Sequence, residues 1–143
     1  MNRLTTKLLV VLAAAAASVA GAQKADAPGA ESAEAALTSF LSAAKAQDLH
    51  AMAAVWGDSK GPAADKFDRL ELQKRELIMM KLLCQDSARV ITRSPGIESS
   101  VVLRVELKRA TNAVTVEFTA VKGPKDRWFI KELEMEKLQG LCR

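Results

Sequence analysis

Two alternating segments constrain this chain more than any other feature. Val101-Val102-Leu103-Arg104-Val105-Glu106-Leu107 and Val114-Thr115-Val116-Glu117-Phe118 set apolar and polar residues in turn, the two-residue period of strands buried on one face. A third segment, Arg127-Trp128-Phe129-Ile130, follows, with Ala110-Thr111-Asn112 and Lys122-Gly123-Pro124-Lys125-Asp126 as the turns between them. So little connecting chain demands an antiparallel meander, because parallel neighbours need a long crossover. Trp128 and Ile130 share a face, but Leu133 and Met135 fall out of step with them. A bulge or bend is therefore expected near Glu132, curling the sheet. An edge strand over Asp86–Arg93 is expected to precede the meander, with Ser94-Pro95-Gly96 as its turn.

The first half of the chain has helical spacing instead. Ala33, Ala36, Leu37, Phe40, Leu41 and Ala44 recur at three- and four-residue steps, with Ser32 as N-cap. Asp48 reads as the cap of a shorter helix, Leu49–Trp56, with Gly57 placed to end it. After a loop at Asp58-Ser59-Lys60-Gly61-Pro62, a third helix is expected over Ala63–Leu83. The acid-to-base pairs Asp65–Arg69 and Glu71–Arg75 support it. Its apolar stripe reads Phe67, Leu70, Leu77, Met80 and Cys84, with Leu72, Met79 and Leu83 broadening the apolar surface near its end. Helices on one face of an antiparallel sheet of about four strands make an α+β fold.

The extreme N-terminus reads as an export signal rather than as part of the fold. Arg3 and Lys7 precede an apolar run from Leu8 to Ala17, and Ala20-Gly21-Ala22 supplies small residues for cleavage after Ala22. Ser18-Val19-Ala20 offers a second cleavage site. The apolar run is short for a bilayer span, and no cysteine follows it to carry a lipid. The expected organisation is a signal peptide at 1–22, a mobile small-residue leader at 23–31 and one domain at 32–143, in the periplasm or secreted. Removing residues 1–22 takes two of the 21 basic residues and none of the 17 acidic ones, leaving 19 against 17 and a net charge of +2. The signs are interleaved throughout, as in Glu134-Met135-Glu136-Lys137, so nucleic acid is not an expected partner.

Cys84 and Cys142 are the only cysteines, and an even count outside the cytoplasm favours a disulfide. With sequential strand order, the ends they flank lie on opposite sheet edges, about 14 Å apart at ~4.8 Å per strand. The tail Gln139-Gly140-Leu141 is expected to span that gap, Gly140 allowing the bend. His50, the sole histidine, sits on the polar side of the short helix without evident partners, and no metal set is visible. Asp86, Glu106 and Glu117 are the acids nearest a potential pocket. Glu106 and Glu117 alternate with apolar residues and are expected to face solvent.

The run Ala43-Ala44-Lys45-Ala46-Gln47-Asp48-Leu49-His50-Ala51-Met52-Ala53-Ala54-Val55-Trp56 resembles the opening of the nuclear-transport-factor-2-like (cystatin-like α+β) superfamily. There a long helix gives way to an aspartate-capped short helix closed by an aromatic residue. The chain from about Ser32 fits that plan and is similar to small exported bacterial proteins of the superfamily, although it has fewer strands before the third helix. The resemblance implies a curled sheet forming a cone, with a pocket that Phe40, Met52, Trp56, Met80, Phe118 and Trp128 would line. Isomerases of this fold pair an acidic group with a tyrosine-type donor, and this chain has no tyrosine. Fold alone does not choose among the superfamily's activities. The expectation is thus a non-catalytic binding module without a cofactor, monomeric or weakly homodimeric through the open sheet face. It would take a small apolar ligand or a protein partner. The alternative is an isomerase- or lyase-type enzyme using a pocket carboxylate on a small hydrophobic substrate.

Overall fold

The computed structural model describes residues 27–143, so the expected signal peptide and the first residues of the leader lie outside the described residues. Within 27–143 the protein is α+β, with three helices preceding a four-stranded antiparallel sheet.

Helix α1 (Ala33–Ala46) begins where the Ser32 hydroxyl accepts from the Ala35 N–H at 3.0 Å. It ends at Gln47, which takes the left-handed conformation. Asp48 starts α2 (Leu49–Val55) at once, its carboxylate accepting from the Ala51 N–H at 2.9 Å. Trp56 is already extended and closes this helix. Gly57 is not a helix-terminating glycine. It opens β1 (Gly57–Asp58), which pairs with β2 (Gly61–Pro62) in a two-rung hairpin. A Cβ on Gly57 would come within 2.2 Å of the Gly61 carbonyl oxygen, so only glycine permits this approach.

The expected long third helix is shorter. Residues Ala63–Asp65 form a 3-10 turn, and α3 (Arg69–Leu82) starts only at the cap Asp68, whose Oδ1 accepts from the Leu70 and Glu71 N–H groups. Asp65 lies ahead of the helix, which leaves only the Glu71–Arg75 pair formed, at 2.7 Å. The expected apolar stripe is also corrected. Glu76 and Met79 are the buried residues of α3, whereas Leu70 and Leu77 are 71% and 56% exposed.

The sheet runs β3 (Ser87–Pro95), β4 (Ser100–Arg109), β5 (Asn112–Lys122) and β6 (Trp128–Leu133) in sequential order. β3 continues through Ser94 and Pro95, so the turn into the meander comes two residues later than the proline suggested. The bulge falls where the phase change placed it. Thr119 pairs with Glu132 and Ala120 with Ile130, leaving Lys131 as the extra residue. The inner face of β4 and β5 carries Leu103, Val105, Leu107, Val116 and Phe118, all fully buried in one core with the apolar face of α1. Arg104, Lys108 and Glu117 on the other face are exposed.

The end of the leader is tied down, contrary to its expected mobility. Ala30 exchanges backbone hydrogen bonds with Trp128 at 2.8 and 2.9 Å, and Arg127 donates to the carbonyls of Ala27, Pro28 and Gly29. Backbone pairing and the burial of Ala30 hold a segment whose small side chains alone suggested freedom. At the other terminus, a 3-10 turn at Met135–Leu138 sends the tail back under the sheet, burying Leu138 and Leu141. Gly140 bends at φ +93°, and Cys142 reaches Cys84 in a disulfide with 5.8 Å between Cα atoms. Among the described residues no helix is long and apolar enough to cross a membrane.

Candidate binding site

The residues expected to line an interior pocket are distributed differently. Phe40, Met52 and Phe118 are fully buried, with Phe40 meeting Phe118 edge to face at 6.4 Å between ring centres. Their contact occupies the space between α1 and the sheet. Trp56, Met80 and Trp128 lie at the margin of this core, half-buried. Trp56 stacks on Phe67 at 5.8 Å, and the Arg75 guanidinium covers the same Phe67 ring at 4.5 Å. Trp128 has the Lys122 ammonium 5.5 Å from its ring centre. Three of the six side chains therefore fill the core, and the other three lie at its margin.

Among the described residues, cavities reach the surface in at least four places, and none of these four includes Phe40, Met52 or Phe118. One, of about 210 Å³, lies beside Trp56 and Phe67, with Asp58, Lys66, Lys131 and Glu132 around it. It adjoins a wider hollow of about 620 Å³ between the hairpin and the turn at 96–100. A third opens at the C-terminal end of α3 near Met80 and Cys84. Charges of both signs ring the first two.

The remaining one is a groove of about 210 Å³ between α1 and β3. Leu37 and Leu41 form its helical wall, Ala88 and Val90 its strand wall, and Val105 its apolar floor. It exists because α1 packs over β5 and β6 and does not extend over the first strand. Consequently all nine residues of β3 are exposed. Gln85 closes the groove at one end, buried, with no donor for its Oε1. Beyond the other end the Arg93 guanidinium donates to the Glu34 carboxylate, bridging strand and helix and holding that carboxyl below its usual range. A second extra residue, Ile91, bulges β3 between Val90 and Thr92.

The candidate acids sit apart from any enclosed space. Glu106 lies on the outer face, bonded to Arg89 at 3.2 Å and near Lys108 at 3.4 Å, and the Arg89 hydrogen bond lowers its pKa. Asp86 accepts from the Ala110 N–H, and Glu117 is exposed. His50 is exposed on α2. Among the described residues no three His, Cys, Asp or Glu side chains gather closely enough to hold a metal ion.

Sequence reasoning missed Glu76. This carboxyl is 1% exposed, its Oε1 has no hydrogen-bond partner, and burial together with the nearby Asp48 charge pushes its pKa up to about 7. Such a value suits a general base, but none of the four cavities reaches Glu76. A helical-wheel position one turn before Met79 and Met80 was the available signal.

Comparisons with protein-family models, curated proteins and solved structures returned no match for this chain.

Proposed function

We propose that this protein is an exported binding module of the nuclear-transport-factor-2-like type, acting through its surface on a protein partner. One observation carries the reading: the space between helix and sheet is filled, while a whole edge strand and the groove beside it are left open. Filling the interior of a small domain with Phe40, Phe118 and their neighbours leaves no room there for an apolar ligand. An exposed edge strand of nine residues beside an apolar groove offers backbone and pocket for recognition by strand addition. The disulfide favours an oxidising compartment, in keeping with the export signal.

Native mass spectrometry of the protein from the exported fraction, without reductant, tests this. A complex of defined stoichiometry with another protein is the expected result. A retained small molecule would move the function to a ligand site. A bare chain with no complex would remove the binding reading.

A further inference from the structure

We propose that β3 and the groove beside it dock an extended acidic segment of a partner protein, which joins the sheet as a fifth strand. The inference rests on the binding-module reading and adds a mode and a partner chemistry to it.

Three features converge on this place. Among the described residues β3 ends the sheet, and one side of its backbone has no neighbouring strand there. A strand added there turns alternate side chains toward the inner face. The groove lies on that face, because Ala88 and Val90 pair with the buried Leu107 and Val105. Its walls of Leu37, Leu41, Ala88 and Val90 suit short aliphatic side chains. At its end Gln85 carries an acceptor without a donor, the one unmet polar demand along the groove. That oxygen is buried, so a backbone N–H of an incoming strand reaches it only as this end of the groove opens.

Charge selects the partner. Lys45, Arg89, Arg93, Arg104 and Lys108 surround this edge, against Glu34, Asp86 and Glu106, which is five cations to three carboxylates. The described remainder of the chain has no such excess. A second copy of β3 is a poor occupant. It would bring its own Arg89 and Arg93 to an edge that already carries the cation excess. An acidic segment alternating with aliphatic residues brings the opposite charge instead.

The test uses two capped ten-residue peptides, one alternating glutamate with valine and one alternating lysine with valine. The reporters are fluorescence anisotropy and amide hydrogen exchange of the intact, disulfide-bonded protein at neutral pH. The acidic peptide should bind at least tenfold more tightly, slow exchange within Ser87–Pro95, and weaken as salt rises. Ala88→Glu, at an exposed position that folding tolerates, should lower that affinity at least tenfold. Leu77→Ser on α3 should not change it. Equal binding of both peptides, protection only outside β3, or no binding would overturn the docking site. If β3 stays unprotected while native mass spectrometry retains a protein complex, the site is wrong and the binding module stands. If neither is seen, both fall.

Discussion

Helices α1 and α3 are each fourteen residues long, and they do opposite things. α1 buries seven residues, all apolar, in a continuous stripe from Ala33 to Ala44. α3 buries two, and one of them is a carboxylic acid. Alanines on α1 let it lie close to the sheet, so Leu37, Phe40 and Leu41 reach into the core. α3 spreads Leu70, Leu72, Leu77, Ile78, Met79 and Met80 around its circumference, and no orientation buries them together. Its place depends on its ends: the Asp68 cap at one and the Cys84–Cys142 disulfide just past the other. A helix held by its face and a helix held by its ends should fail differently.

The largest difference is expected between the two kinds of anchor. Phe40→Ala should cost about 3–5 kcal/mol, because the ring is fully buried against Phe118 and the site cannot collapse around so large a loss. Replacing both Cys84 and Cys142 by serine opens a loop with a sequence separation of 58. The chain-entropy model puts that at about 4 kcal/mol, with about 2–4 typical of measured bridges. Urea unfolding gives both totals, and hydrogen exchange separates them. Phe40→Ala should loosen α1 and the sheet together. The serine pair should release α3 and the C-terminal tail first. Uniform loosening in both variants would erase the distinction between the helices.

The same contrast explains what could be read from the chain alone. α1, both upstream caps, the meander and the bulge opposite Thr119 were legible because each has a local cause: a stripe, a capping side chain, an alternation, a phase change. The disulfide was legible from cysteine count and compartment. α3 misled because its apolar residues satisfy a stripe on either side, and only tertiary packing chooses Met79 over Leu77. Mobility of the leader was wrong beyond Ala27 because strand pairing with Trp128 is a long-range event with no local mark. The groove could not be seen at all. It arises from where α1 stops short on the sheet, a property of packing and not of any residue in β3.

The next effect is smaller and depends on pH. Glu76 has its folded pKa raised from 4.5 to about 7, so the folded state prefers the proton. Stability from this group is fully present below pH 4.5 and declines until pH passes about 7, by about 3 kcal/mol at most at 1.36 kcal/mol per tenfold. Glu34 and Glu106, held low by Arg93 and Arg89, act in the opposite sense: their contribution is lost as pH falls through their lowered values. Comparing Glu76→Gln with the parent isolates the first effect. The two should match near pH 4, and the variant should be more stable by about 2–3 kcal/mol at pH 8.5. Parallel curves across that range would show that Glu76 is solvated. Asp48→Ala adds a coupled check. It removes the α2 cap, costing about 1 kcal/mol, but also removes the charge that disfavours ionised Glu76. Its cost should therefore shrink between pH 5 and pH 8.

The smallest effect is expected on the outer side of α3 and decides what that side is for. Leu77 and Ile78 stand exposed two residues and one residue before the buried Met79. Met79→Ala should cost about 2–5 kcal/mol as a core deletion. Leu77→Ser with Ile78→Ser should stay within about 0.5 kcal/mol of the parent. Neighbouring positions on one helix would then differ severalfold, as expected of a helix only one turn of which touches the core. A larger loss in the double variant would mean that water is not what faces these side chains in solution. If that loss grew with protein concentration, a second copy would be covering α3, since only association makes apparent stability depend on concentration. If it did not, the helix would be docked on its own domain more deeply than Leu77 and Ile78 indicate, and the contrast between α1 and α3 would be one of degree.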